Sequence, residues 1–175
     1  KPIVVPTQGS VTISIGTQPL VKRQGLLTVA TSLQDQSGSV LVSAVVLLAA
    51  RRLSPPSEKP EDLKGKPYGS TNQIYEKILF HGPQMRFITS VPICDESGIL
   101  AEIAATRPPA SWMQSPLRDQ WIADPTALDA AFQAMILWTT QRKGAPSLPS
   151  FVSQYRQYRD FPSQGLRVAA RIQSQ

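Results

Sequence analysis

The sequence predicts an α+β domain in which an antiparallel sheet wraps around one long helix. Three observations carry this. The first third is built of β-branched segments broken by glycine turns. A single long helix is opened by Asp124-Pro125 and closed by Gly144. Strands flank that helix without the alternating strand–helix rhythm or glycine-rich phosphate loop of nucleotide-binding folds.

Taken in order, Val11–Ile15, Leu26–Ser32 and Val40–Leu48 read as strands, separated by Gly16, Gly25 and the turn Asp35 to Gly38. Val11, Ile13 and Ile15 alternate with Thr12 and Ser14, which suits a sheet with one wetted face; Val45 to Leu48 is apolar on both faces and suits a central strand. Residues 54–69 hold Pro55, Pro56, Pro60 and Pro67 among alternating charges, so a linker without helix or paired strand is expected between 1–53 and 70–175. Ser70 or Thr71 can cap a short helix over Asn72–Leu79, ended by Gly82-Pro83.

Phe87–Ile93 and Ile99–Thr106 then read as strands joined by the turn Asp95 to Gly98. The long helix runs from Asp124-Pro125 to about Arg142, with Leu128, Phe132, Met135, Ile136 and Thr139 on a stripe that should be buried. After Pro149, Phe151–Tyr158 and Leu166–Ile172 read as two more strands.

Composition narrows the function. A chain of 175 residues suits one domain or a large piece of a bigger one. With 41% apolar and 17% charged residues it should fold as a soluble domain. Its longest apolar run, Val40 to Ala50, is interrupted by Ser43 and falls short of the roughly 18 residues that span a bilayer. No secretory signal opens the chain, and the lack of an initiator Met points to a segment of something longer. One cysteine, Cys94, and one histidine, His81, exclude an internal disulfide and the usual zinc sets, and suggest a reduced, cytoplasmic setting. The net charge of +6 favours an acidic partner. Because the basic pairs are scattered and lack interleaved stacking aromatics, nucleic acid is the weakest of the partners considered.

Two side chains stand out as candidates for chemistry. Asp129 and Gln133 lie one turn apart on the same face of the long helix. A carboxyl there is either an acid favoured in its protonated form by burial, or a solvated first-turn residue stabilised by the helix dipole. His81 sits at the bend made by Gly82-Pro83, either facing a cleft or donating to a helix-end carbonyl.

The segment Ile74 to Pro83 (I-Y-E-K-I-L-F-H-G-P), the segment Asp124 to Gln133 (D-P-T-A-L-D-A-A-F-Q), Ser147 to Pro149 and Tyr155 to Tyr158 occur in an order and spacing that resembles the second half of the dehydratase domains of polyketide synthases and polyunsaturated fatty acid synthases. Such domains are double hotdogs, two units that each curl an antiparallel sheet around a long helix. The resemblance implies that residues 1–53 are later strands of a first hotdog and 70–175 the second. It makes Asp129 the acid of an Asp-x-x-x-Gln/His motif and Gln133 its hydrogen-bonding companion. His81 stands where many relatives have the tyrosine of Tyr-Gly-Pro. Tyr75, Phe80, Gly82, Pro83 and Phe132 are implied to contact substrate.

The implied reaction is loss of water from a 3-hydroxyacyl thioester on an acyl carrier protein, which brings its own phosphopantetheine; no metal or soluble cofactor is expected. Carrier and neighbouring synthase domains are the implied partners, with Arg142 and Lys143 at the helix end as candidate carrier-docking cations, and a homodimer is one assembly this allows. The family's base histidine, in His-x-x-x-Gly-x-x-x-x-Pro, is absent from this sequence. The chain is therefore a hydro-lyase if that base is supplied upstream. Otherwise it is a silent relative, a hotdog-like module that binds acyl chains or carrier and braces a synthase.

Overall fold

The structure, a computed structural model, describes residues 3, 5–23, 25–56 and 63–173. The chain forms two compact units, Lys1–Leu53 and Ser54–Gln175.

The first unit is an antiparallel sheet of β1 (Ser14–Thr17), β2 (Val21–Arg23), β3 (Leu26–Gln34) and β4 (Val40–Leu48). β4 pairs with β3 along its length, and β1 and β2 share the other edge of β3. The β3–β4 hairpin is closed by Asp35, whose Oδ1 accepts hydrogen bonds from the Ser37 and Ser39 amides, while Gly38 supplies the left-handed conformation at φ +81°. Two expectations are corrected here. The first strand starts at Ser14, not Val11, because its partners are set by the opposing residues Thr31 to Gln34. β4 is an edge strand with exposed Val45 to Leu48, not a central one; apolar composition on both faces reports a need for cover that the described residues do not supply.

The second unit holds α1 (Thr71–Lys77), a 3-10 turn at Pro83–Met85, β5 (Ile88–Cys94), β6 (Gly98–Ile103), a second 3-10 turn at Pro109–Ser111, α2 (Pro125–Lys143) and β7 (Leu166–Arg171). β5, β6 and β7 form an antiparallel sheet in that order, with Ile99, Ala101 and Ile103 of β6 opposite Ala170, Val168 and Leu166. The β5–β6 turn repeats the device of the first unit, with Asp95 Oδ1 accepting from the Ser97 and Gly98 amides. The expected linker is partly corrected. Positions 57–62 lie outside the described residues, but Leu63 is buried, Lys66 bridges Cys94 and the Tyr68 amide donates to the Val91 carbonyl, so chain beside Pro67 does pair with β5.

The long helix starts where Asp124 caps it, accepting at Oδ1 from the Thr126 and Ala127 amides and the Thr126 hydroxyl, and it ends at Gly144 with φ +73°. Its buried face follows the expected stripe only in part: Ile136 is buried, but Leu128, Phe132, Met135 and Thr139 are half-buried, and Ala127, Ala130, Ala134 and Leu137 join the core. Alanines let the helix approach the sheet closely, and Ala130 and Ala134 are as fully buried as Leu137.

Trp138 Nε1 donates to the Asp95 carbonyl oxygen at 2.8 Å and ties the far half of α2 to the β5–β6 turn. Ser70 stands at the N-cap position of α1 but makes no side-chain capping bond, and the Thr71 hydroxyl donates to Thr89 O. Phe151–Tyr158 is not a strand. Between Pro149 and Pro162 the segment is held through the Gln157 side-chain amide, which donates to Ile122 O and Arg159 O, and not by a ladder.

Candidate active site

Three elements converge on Asp129. α2 presents its carboxyl in the second turn, α1 brings Tyr75 from behind, and the bend after α1 brings His81 and the Met85 carbonyl. The bend follows from local chemistry: Gly82 is extended, Pro83 opens a 3-10 turn, and Arg86 Nε donates to His81 O at 3.1 Å across it.

Gln133 is wholly buried, and its Nε2 donates to Asp129 Oδ2 at 2.6 Å and to Met85 O at 2.8 Å. Its Oε1 accepts from the Tyr75 hydroxyl at 2.9 Å, and that same phenol oxygen accepts from the Ile88 amide at 2.9 Å. No polar atom of this amide is left over, as a buried side chain requires. Burial pushes the Tyr75 phenol above its ordinary pKa of 10.0, aided by Asp129 and opposed by the Ile88 and Phe87 amides and by Arg86, so the hydroxyl keeps its proton at neutral pH.

His81 Nε2 lies 3.6 Å from Asp129 Oδ2. The imidazole is stacked on Phe80, centroids 4.5 Å apart at 20°, and its Nδ1 is buried with no hydrogen-bond partner. Asp129 keeps 29% of its side-chain surface open to solvent against 11% for His81, so the carboxyl is gripped from behind and open in front.

Asp129, Gln133, His81 and Tyr75 are thus brought together. Of the other residues singled out as contacting substrate, Phe80, Gly82 and Pro83 are exposed beside the imidazole and Phe132 is half-buried on α2. Tyr75 is buried, with only 8% of its surface accessible, and its hydroxyl is taken up by Gln133 and Ile88. Arg142 and Lys143 lie in the last turn of α2: Arg142 pairs with Glu96 at 2.7 Å, and the Lys143 ammonium stands 5.9 Å from the Trp138 ring centroid. Sequence reading passed over the Met85 carbonyl and the Ile88 amide, which carry no side-chain signal. The buried phenol in an otherwise short amphipathic helix was the one available clue, since a buried tyrosine hydroxyl seeks a partner.

Among the described residues no cluster of His, Cys, Asp and Glu could hold a metal ion, and no helix is long and apolar enough to cross a membrane.

Comparison with known proteins identifies the fold and the family. A polyunsaturated fatty acid synthase polypeptide from Thraustochytrium sp. is 29% identical over 163 residues, covering 90% of this chain and 6% of that much longer protein. The dehydratase domain of RzxB from Pseudomonas fluorescens superposes with a TM-score of 0.60 at 17% identity, over 93% of this chain and 58% of that one. A dehydratase solved to explain substrate selection in the borrelidin and fluvirucin polyketide synthases gives a TM-score of 0.55 at 21% identity, over 91% and 55%. The chain therefore has the hotdog α+β fold and spans little more than half of the solved dehydratases it matches. The model of the family described as polyketide synthase dehydratase N-terminal domain matches residues 50–175, and the chain belongs to that family.

Proposed function

We propose that this chain is the acid-bearing part of a dehydratase that converts a 3-hydroxyacyl thioester, held on an acyl carrier protein, into the enoyl thioester. The observation that carries the reading is the grip on Asp129: one oxygen fixed by Gln133 at 2.6 Å, the carboxyl otherwise open to a ligand. A histidine base supplied from outside these 175 residues takes the α-proton. The released electron pair forms the Cα=Cβ bond, the Cβ–O bond breaks, and the departing hydroxyl takes a proton from Asp129 and leaves as water.

In this reading His81, with Nε2 3.6 Å from Asp129 Oδ2, is not assigned the base's part. It acts on the acid's own side, as a hydrogen-bond donor to the carboxyl or to the substrate oxygen. Phosphopantetheine arrives with the carrier, no metal or soluble cofactor takes part, the setting is cytoplasmic, and neighbouring synthase domains flank the site.

That same closeness favours one other reading, a silent hotdog module that binds acyl chains or carrier, because the only histidine of the chain stands beside the acid and not across from it. Asp129→Asn in the parent dehydratase separates the two. Loss of about 10²–10⁴-fold in dehydration with the fold intact supports the acid role. Undiminished turnover removes Asp129 from the chemistry, and a parent protein that dehydrates no carrier-bound 3-hydroxyacyl substrate supports the silent module.

A further inference from the structure

The direction of the hydrogen bonds behind Asp129 is set by two fixed backbone groups, the Ile88 N–H and the Met85 carbonyl. The Ile88 N–H can only donate, and it donates to the Tyr75 oxygen at 2.9 Å. The phenol must then send its own proton onward, and the atom facing it at 2.9 Å is therefore the amide oxygen of Gln133. With Oε1 so committed, the amide nitrogen faces forward, one N–H to Met85 O and the other to Asp129 Oδ2. Met85 O is itself an acceptor only, which makes the reversed amide doubly unfavourable: it would set two oxygens against each other there and an N–H against the phenol's donated proton.

We infer that Tyr75 is a positioning residue for the proposed dehydration: by fixing which way the Gln133 amide points, it commits Oδ2 of Asp129 to accepting and leaves Oδ1 as the oxygen that carries and delivers the proton. The inference rests on the dehydratase reading for its catalytic meaning, but the orientation stands without it. His81 Nε2 approaches the same Oδ2, so the proton-bearing oxygen is the one that neither neighbour contacts. In the forward step Oδ1–H passes its proton to the departing hydroxyl. The carboxylate left behind keeps the Gln133 N–H on Oδ2, a charge-assisted bond worth more than the neutral one it replaces. Without Tyr75 the amide loses one of the two partners that tell its ends apart and keeps only Met85 O.

The test reads orientation and turnover separately. In the parent dehydratase, Tyr75→Phe should accelerate solvent exchange of the Gln133 side-chain N–H protons, followed by NMR, by at least about tenfold, because the burial is kept while the anchor is lost. Unchanged exchange in a folded Phe variant overturns the inference whether or not the protein is a dehydratase. On the kinetic side, Tyr75→Phe should lower kcat by about 10–100-fold with KM nearly constant, and should lower it no further once Gln133 is already Leu. Additive losses in the two backgrounds would mean that Tyr75 acts through stability alone and would overturn the positioning role. A wild-type protein with no dehydration but with the predicted exchange difference would defeat the function and leave the orientation. If Tyr75→Phe does not fold, Gln133→Glu gives the same decision. The carboxylate must accept from both Tyr75 and a protonated Asp129 while facing Met85 O, so turnover equal to wild type would show that amide orientation is irrelevant.

Discussion

His81 Nε2 stands 3.6 Å from Oδ2 of Asp129, while Nδ1 of the same ring is buried without a partner. The edge of the ring that carries Nε2 is the one turned toward the carboxyl, so an N–H there is the donor that His81 can offer to it.

From this follows a prediction on donor capacity. His81→Gln retains an N–H donor of similar reach, whereas His81→Leu retains only the packing on Phe80. In the parent dehydratase the Gln variant should keep most of kcat/KM and the Leu variant should fall by about tenfold or more, the scale of a lost hydrogen bond to a charged group. Equal losses in steady-state assays would rule out the donor role.

The cap of α2 is a second point of leverage. One oxygen of Asp124 accepts three hydrogen bonds, and the Thr126 hydroxyl that donates to it also meets the Thr106 hydroxyl. Asp124→Ala should cost about 1–2 kcal/mol in chemical denaturation, with Asp124→Asn recovering most of it. Because Asp129 lies in the following turn, the Ala variant should also lose turnover; a stable, fully active Ala variant would show that the cap neither holds the helix nor places the acid.

The β6–β7 ladder depends on two glycines for a purely steric reason. A Cβ at Gly165 would overlap the carbonyl oxygen of Ile103, and one at Gly98 would overlap that of Ala170. Either alanine substitution forces backbone apart at an end of the ladder, at a cost of about 1–3 kcal/mol or more. Unfolding midpoints equal to wild type would mean that β7 does not pair in this register.

Much of this architecture was legible from local chemistry. Asp124-Pro125 and Gly144 mark both ends of α2 because caps act within a turn, and the two Asp-x-Ser-Gly turns mark their hairpins because a carboxylate closes each on its own amides. What escaped depends on distant partners. β2, only three residues long, exists because β3 offers an edge. The buried face of α2 mixes Ala127, Ala130 and Ala134 with Thr126 and Gln133 among its larger apolar side chains and leaves no strong apolar stripe. Tyr75 meets Gln133 across 58 positions of sequence, so its hydroxyl could not be assigned a partner from spacing. Phe151–Tyr158 has strand composition but no neighbouring edge to pair with among the described residues, and composition alone does not make a strand.

Stability should decline on the alkaline side. Burial raises the Cys94 thiol above 9.0, with Asp95 adding to this and Arg142 opposing, and burial raises Tyr68 and Tyr75 above 10.0. Each group holds its proton more tightly folded than unfolded. Their contribution is therefore complete below about pH 9 and is lost as pH rises through the folded values. Urea midpoints should fall between about pH 9 and 11, and Cys94→Ala should flatten the first part of that fall. A midpoint constant over this range would contradict the burial assigned to these groups.

The end of α2 offers the last prediction, on carrier docking. Arg142 is already paired with the exposed Glu96 at 2.7 Å, so reversing it would also set like charges side by side and confuse the result. Lys143 is the cleaner probe: it is exposed, and its ammonium rests 5.9 Å from the Trp138 ring. If an acidic carrier approaches this end, Lys143→Glu should weaken its binding by about 3–10-fold at low salt, in keeping with a single rim charge. The difference should close toward 1 M salt, where the Debye length is about 3 Å. Glu96→Gln should act in the opposite sense by removing a negative neighbour, and turnover of a small carrier-free thioester by the parent dehydratase should be untouched by either change. Carrier affinity that responds to neither substitution nor salt would place docking elsewhere and leave both cations the simpler role of offsetting the negative end of the helix.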